Sequence, residues 1–322
     1  MKAITYHRYG SPAVLQLQEI DRPVVDGSNV LVRVRAASIH PGDWLVMTGR
    51  PYILRLIFGL PRPRKSIPGF DVAGQVEAVG AKVTELQPGD EVFGECDGSC
   101  AEYVSVREGS LALKPSNLTF EQAAAVPISG VAALRAVRDQ AKVQPGQEVL
   151  INGASGGVGT FAVQIAKWLG ADVTGVCSRR NVDLVRSIGA DHVIDYAQED
   201  FTQGEKRYDF ILDNVGNHSL AALRRVLTPS GTLIPNNGTS GGRWIGPIGR
   251  TVKALVLSLF IRRQGRPFVA IPRNKDLVVL KELIEAGEVT PVIGRTYPLS
   301  ETAEAMAHLG EGHARGKIVI TV

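Results

Sequence analysis

Hydrophobic and polar positions follow two rhythms along this chain, and the change falls near Pro115. Before it, apolar residues alternate with period two, as in Val30-Leu31-Val32-Arg33-Val34-Arg35 and Ala101-Glu102-Tyr103-Val104-Ser105-Val106. That spacing predicts half-buried strands. Turn signals at Asp26-Gly27, Pro41-Gly42, Pro88-Gly89-Asp90 and Asp97-Gly98 separate them, so this part reads as a small barrel or sandwich. After Pro115, Thr119 followed by Gln122 marks a capped helix start. From Glu148 onward, short apolar runs at 148–152, 172–177, 192–195, 208–213 and 231–235 alternate with helical patterns at 160–169, 182–188 and 220–227. Such alternation predicts parallel strands with right-handed crossovers. A helix at 248–263 and a strand at 267–271 are expected to close this part. The tail adds helices near 275–286 and 302–309 and a last strand at 317–322.

The first run of the second part ends in Asn152-Gly153-Ala154-Ser155-Gly156-Gly157-Val158-Gly159. From Val158, the residues Phe161, Ala162, Ile165, Ala166 and Leu169 fall on one helical face, and Gly170 stops it. Strand, glycine turn and helix N-terminus together make a pyrophosphate site. Glycines let the backbone approach, and free N–H groups and the helix dipole favour negative charge. The stretch 157–162 fits the G-x-G-x-x-A dinucleotide fingerprint. Ser155, Gly156, Gly157, Val158 and Gly159 are therefore expected to hold the pyrophosphate of a dinucleotide in a Rossmann domain.

The second strand decides which dinucleotide. An acidic residue at its tip accepts from a ribose 2′-OH and selects NAD, whereas arginine accommodates a 2′-phosphate. Here the tip reads Ser178-Arg179-Arg180-Asn181, with no carboxylate. Ser178 and Arg179 are the expected 2′-phosphate contacts, and the cofactor is read as NADPH. By the rule that ligands sit where strand order reverses, Asn237, Gly238 and Thr239 after the fifth strand should lie near the nicotinamide.

Composition narrows the picture further. The 322 residues suffice for two cores, and 44% apolar with 21% charged residues is ordinary for a globular protein. A net charge of +4 with 6% aromatics does not suggest a nucleic-acid surface. Three cysteines, Cys96, Cys100 and Cys177, suit a reducing cytoplasm. No signal-peptide core opens the chain, and the apolar stretch 254–261 is far short of a bilayer span, so no membrane partner is expected. That stretch reads as a buried helix, with a dimer or membrane-surface contact left open.

The segment 78–94, Ala-Val-Gly-Ala-Lys-Val-Thr-Glu-Leu-Gln-Pro-Gly-Asp-Glu-Val-Phe-Gly, closely resembles a signature of the medium-chain dehydrogenase/reductase superfamily. The glycine loop lies at about the family's spacing. The similarity runs on through Gly189-Ala190-Asp191-His192-Val193-Ile194-Asp195-Tyr196 and Asp213-Asn214-Val215-Gly216 to Gly316-Lys317. The zinc-free quinone oxidoreductases and alkenal reductases are the branch it is most similar to. The resemblance implies an α/β chain with two domains. One is a β-rich GroES-like catalytic barrel, residues 1–118 completed by 273–322. The other is a doubly wound Rossmann domain, residues 119–272. It also implies a cleft between them, NADPH and commonly a homodimer. By the same resemblance Tyr196 flanks the adenine, Asn214, Val215 and Gly216 lie near the ribose, and Lys317 either reaches the cofactor or is a surface lysine.

Zinc alcohol dehydrogenases share this layout but carry an early Cys and a Gly-His-Glu. Here Ile39-His40-Pro41-Gly42-Asp43 has no Cys, and Phe70 stands before Asp71 where the His would fall. His40, Asp43 and Asp71 form a poor set for catalytic zinc, so no metal is expected. Without a Lewis acid the acceptor should already be electron-poor, such as a quinone, enone or enal. If the apolar stretch 52–60, with Trp244 and Ile245, roofs a cleft, this small-molecule acceptor should be apolar and fairly bulky; the stretch reads equally as subunit packing.

Three donors are candidates for the developing oxyanion. His40 stands where relatives often show Asn, and reads either as a donor or as a turn histidine. Tyr52 offers a phenol or packs with Ile53, Leu54 and Phe58. Ser129 could replace the Thr that relatives often show at the place of Ala132. Two rival readings remain open: an enoyl-thioester reductase using Arg62-Pro63-Arg64-Lys65 for a phosphate, and a non-catalytic NADPH-binding or redox-sensing protein.

Overall fold

The computed structural model describes residues 1–64, 66–236, 273–312 and 314–322. In chain order the elements are β1 (Lys2–Thr5), β2 (Gln16–Glu19), β3 (Asn29–Ile39), α1 (Pro41–Thr48), α2 (Arg55–Phe58), β4 (Asp71–Val79), β5 (Glu91–Glu95), β6 (Tyr103–Arg107) and β7 (Leu111–Leu113). There follow α3 (Phe120–Ala124), α4 (Pro127–Leu134), β8 (Glu148–Asn152), α5 (Gly157–Trp168), β9 (Asp172–Cys177), α6 (Val182–Ser187), β10 (His192–Asp195), β11 (Tyr208–Asp213), α7 (Leu220–Arg225) and β12 (Leu227–Pro235). The tail supplies α8 (Asn274–Glu285), β13 (Ile293–Pro298), α9 (Thr302–Gly310) and β14 (Lys317–Thr321). Among the described residues no helix is long and apolar enough to cross a membrane.

The chain divides into two compact units. The first comprises Met1–Val131, Ile271–Gly287 and Pro291–Val322, the second Ala132–Ala270 and Glu288–Thr290. The first cut falls beyond the expected 118/119 because α3 packs on β3 and β4.

Unit one is the expected β-rich body. Its main sheet has the order β13-β14-β3-β4-β5-β7, and β6 also pairs with β3. All these pairs are antiparallel except β13 with β14. The long strand β3 serves two cores. Val30, Val32 and Val34 enter one with Val72, Val92 and Val104, while Ala37 and Ile39 enter another with Ile318, Ile320 and Met47. The inward face changes from even to odd positions at a register shift between Val34 and Ala36, as a bulge requires. The shift turns Ser38, directly opposite Asp71 in the ladder, away from the core that takes Ala37 and Ile39.

Among the described residues, unit two carries a parallel five-stranded sheet in the order β10-β9-β8-β11-β12. In chain order that is 3-2-1-4-5, so the order reverses between β8 and β11. The carboxyl ends at that point are Asn152 and Asp213. Helix α5 begins at Gly157 rather than at the expected 160, which makes Gly157, Val158 and Gly159 its first turn. Low helix propensity hid those glycines from periodicity. Strand β12 likewise begins before the expected 231. The helix expected at 248–263, the strand at 267–271 and the residues Asn237, Gly238, Thr239, Trp244 and Ile245 lie outside the described residues.

Candidate functional site

In unit two, the glycine turn is bound to the strand beside it. Gly153 N–H and Ala154 N–H both donate to Val176 O, at 3.1 and 3.0 Å. Gly153 has φ +78°, the left-handed region that favours glycine. At Gly159 a Cβ would stand 2.1 Å from Gly153 O and 2.8 Å from Ala154 Cα, so only glycine lets α5 run this close to the turn. Gly156 caps α5 in extended conformation, and no side chain caps the helix. The first-turn N–H groups are thus available to an anion, which the helix dipole favours.

Two hydroxyls flank this turn, and one residue holds both. Asn181, 5% exposed, donates through Nδ2 to Ser155 Oγ at 3.0 Å and to Ser178 Oγ at 3.2 Å. Each hydroxyl accepts from Asn181, so its own O–H is left to donate outward. Sequence reading named Ser155 and Ser178 but missed this clamp; a buried Asn just after a strand tip was the signal. Arg179 and Arg180 are exposed beside Ser178, and β9 ends in Cys177 without a carboxylate. Tyr196 is exposed, and its N–H donates to Cys177 O at 3.1 Å, which places it at the same tip. Burial, then Asp195, pushes the Cys177 thiol up to about 11, so it is no thiolate.

At the order reversal, a buried amide network ties the strand ends together. Asn152 Nδ2 donates to Asp213 Oδ1 at 2.8 Å and to Asn217 Oδ1 at 2.9 Å. Asp213 Oδ1 also receives the Gly216 N–H at 3.0 Å. Asn214 donates to Asn152 O, and its own Oδ1 accepts from Asn236 Nδ2 at 2.8 Å. Asn214, Val215 and Gly216 therefore form a fixed loop, and Val215 stands 40% exposed at its edge. A Cβ on Gly153 would lie 2.9 Å from Val215 Cγ2, so this loop abuts the glycine turn. Together these features fit a dinucleotide: an uncapped helix start, two outward hydroxyls, an exposed guanidinium and a strand tip without a carboxylate.

In unit one, His40 is the N-cap of α1. Its Nδ1 accepts the Gly42 N–H at 2.9 Å, while Asp43 Oδ2 accepts the His40 N–H at 2.9 Å, forming a reciprocal cap. A ring whose Nδ1 accepts carries its proton on Nε2. That Nε2 is buried and has no hydrogen-bond partner among the described residues; the nearest oxygen of Asp43 is 3.7 Å away, beyond bonding range. Phe70 stacks on the imidazole, with centroids 5.4 Å apart. Asp43 is wholly buried and its other oxygen accepts the Gly69 N–H at 2.8 Å. Burial raises the Asp43 carboxyl above its usual range against the opposing effects of His40 and these N–H donors.

Asp71 begins β4 and has no exposed surface. Its Oδ2 accepts from Lys317 Nζ and from Ser38 Oγ, each at 2.8 Å, and its Oδ1 accepts the Ile128 N–H at 2.9 Å. Register explains the meeting: β14 and β4 flank β3, Ser38 faces Asp71, and Lys317 opens β14. Sequence reading gave Lys317 to the cofactor or the surface. The structure gives its ammonium to Asp71, at 2% exposure. The available signal was a lone Asp inside an apolar strand, which needs a buried cation.

The remaining candidates are placed as follows. Ser129 is 3% exposed on α4, one residue past the N–H that Asp71 accepts. Tyr52 is half-buried, and the Arg55 guanidinium lies 4.7 Å over its ring and 4.4 Å over that of Tyr9. Cys96 and Cys100 are buried free thiols that burial keeps well above the ordinary range. Among the described residues no three His, Cys, Asp or Glu side chains are grouped to hold a metal ion.

Comparison with known proteins bears on both units. A family model described as an alcohol dehydrogenase GroES-like domain matches residues 26–116, and one described as a zinc-binding dehydrogenase matches residues 188–320. The chain is 31% identical to a chloroplast envelope quinone oxidoreductase homolog of Arabidopsis thaliana, over 99% of this chain and 98% of that protein. It is also 31% identical to the NADPH-dependent alkenal/one oxidoreductase of Arabidopsis chloroplasts, over 99% of this chain and 79% of the relative. The solved quinone oxidoreductase of Coxiella burnetii superposes with TM-score 0.86 and 30% identity, covering 100% of this chain and 99% of that one. Among the described residues, the donors His40, Asp43 and Asp71 do not fit the zinc that the second model's description implies. Both oxygens of Asp43 and both of Asp71 are engaged by N–H or O–H donors, and His40 Nδ1 is spent on its cap.

Proposed function

The chain belongs to the medium-chain dehydrogenase/reductase superfamily, and from that premise we propose that it is an NADPH-dependent, zinc-independent reductase of quinones or α,β-unsaturated carbonyls. That it is an oxidoreductase follows from its relatives; the cofactor and acceptor are the proposed part. One observation carries the reading: the carboxylate oxygens of Asp43 and Asp71 and the Nδ1 of His40 are already engaged, while one buried N–H, at His40 Nε2, has no acceptor among the described residues. A site with a spare donor and no Lewis acid suits a substrate that is electron-poor already.

Bound NADPH would supply a hydride. The chain's residues do the rest. The first turn of α5 holds the pyrophosphate, with the Ser155 hydroxyl beside it. Ser178 and Arg179 take the 2′-phosphate through a charge-assisted pair. His40 donates from Nε2 to the carbonyl oxygen as it gains charge, and its α1 cap fixes both tautomer and ring orientation. Asp71 anchors the start of α4 and so positions Ser129. The names of the relatives, quinone oxidoreductase homolog and alkenal/one oxidoreductase, support this acceptor class. The reading includes a cytoplasmic homodimer, which sedimentation of the purified protein tests.

The test is oxidation of NADPH by 1,4-quinones and medium-chain enals, with a chelator present and NADH as comparison. Turnover should survive chelation and favour NADPH, and Arg179→Ala with Arg180→Ala should erase that preference. His40→Ala should lower kcat by about 10²-fold, the usual loss for one oxyanion donor, with His40→Asn partly restoring it. Unchanged cofactor preference in the arginine variant, or unchanged kcat in His40→Ala, would refute the corresponding role.

A further inference from the structure

Unit one contains a cavity of about 350 Å³ lined by His7, Arg8, Ala13, Val14, Gln16 and Arg62. Its two walls are bound together. Tyr9 Oη donates to Gly59 O at 2.7 Å, and the Arg64 N–H donates to Phe58 O at 2.7 Å, closing the turn that carries Arg62. Among the described residues neither Arg8 nor Arg62 is paired with a carboxylate. Along the chain, residues 1–18 contain no Asp or Glu, and neither do residues 44–70, which hold Arg50, Arg55, Arg62, Arg64 and Lys65; α9, which packs on residues 12–14, carries Glu304. Two arginines that line one cavity with no carboxylate paired to either repel each other unless an anion enters.

Exposed aliphatic side chains precede Arg62 in the chain. Leu56 and Ile57 are each 66% exposed and Leu60 is 64% exposed. Leu60 is two residues from Arg62, and Arg55, between Leu54 and Leu56, packs over Tyr9. Cations beside exposed aliphatic side chains match a ligand that is anionic at one end and hydrocarbon at the other.

We propose that this cavity binds a phosphate group through Arg8 and Arg62, and that Leu56, Ile57 and Leu60 receive the hydrocarbon attached to it. Arginine suits phosphate because its planar fork pairs with two oxygens at once. The ligand is thus an amphiphilic phosphate ester, either soluble or presented as a lipid headgroup. The site uses none of the residues assigned to the dinucleotide and does not depend on the NADPH reading.

The experiment titrates the full chain with inorganic phosphate, octyl phosphate and octanol by calorimetry. It is repeated with Arg8→Gln plus Arg62→Gln and with Leu56→Ser plus Ile57→Ser; all four side chains are at the surface, and thermal melts check the fold. Octyl phosphate should bind tighter than either fragment. The arginine pair should weaken it by about tenfold or more, as loss of charge-assisted bonds does. The aliphatic pair should weaken octyl phosphate but leave inorganic phosphate unchanged. Binding that survives the arginine substitutions, or octyl phosphate that binds no better than octanol, would overturn the proposal. Phosphatidylcholine vesicles with and without phosphatidic acid identify the source. Retention on the acidic vesicles alone assigns a lipid headgroup, and binding of octyl phosphate without retention assigns a soluble ester.

Discussion

Replacing Lys317 by Met should unlock the first unit. Met keeps much of the side-chain volume but removes the ammonium that stands 2.8 Å from Asp71. The carboxylate is then left with no exposed surface and only the Ser38 hydroxyl and the Ile128 N–H as partners. Removing one member of a buried pair typically costs about 3–5 kcal/mol, because the other charge stays buried and uncompensated. For a unit of this size that is a fall in melting temperature of roughly 6–20 °C. Asp71→Asn should cost a similar amount by stranding the ammonium. The double variant should cost less than the two singles together, with a coupling of at least about 1 kcal/mol, because no unpaired charge remains. Urea unfolding and calorimetry of the four proteins give the cycle directly. Singles within about 1 kcal/mol of wild type, or singles that simply add, would refute the reasoning.

Two further predictions rest on other parts of the fold. Gly159→Ala puts a Cβ 2.1 Å from Gly153 O, where only backbone could yield; it should cost about 1–3 kcal/mol and, under the proposed reading, abolish NADPH binding followed by fluorescence titration, and wild-type binding would contradict the close approach. Glu285 binds Lys281 and both the N–H and hydroxyl of Ser116, which hold its carboxyl down at about 2 against an ordinary 4.5. A depressed carboxyl stabilises the fold above pH 4.5 and loses that contribution as pH falls toward 2. Glu285→Gln should therefore be destabilising at neutral pH, by less than about 1 kcal/mol given its exposure, and the gap should close in acid; a gap that widened would contradict the sign.

The sequence was legible where one physical rule acts alone. Parallel strands in the middle of a sheet announce themselves as apolar runs, and four of the five in unit two, the edge strand β10 included, begin and end where the pattern predicts. The Thr119 and Gln122 cap is present for the same reason, since its chemistry lies within four residues. The start of α5 was misread because glycine weakens the helical signal that locates a helix. Long-range polar contacts were not legible. Asp71 and Lys317 are 246 positions apart, and Asn181 serves Ser155 across 26. Hydrophobic period states which face is buried, but not which polar group across the sheet will satisfy a buried one.

The Asp71 cluster also indicates how unit one stays ordered around His40 with its metal-ligand positions otherwise engaged. One carboxylate joins four stretches of chain: β3 through Ser38, the start of β4 itself, the N-terminus of α4 through Ile128, and the first residue of β14. A metal ion would organise such a junction by coordination; here charge pairing and a helix N-terminus do it. The substitution leaves a chemical difference. A metal presents an open Lewis-acid position to substrate, whereas a closed ion pair presents nothing. Under the proposed reading, polarisation of an acceptor would come from a hydrogen-bond donor, and the buried His40 N–H, without an acceptor among the described residues, is the group that reading assigns to it.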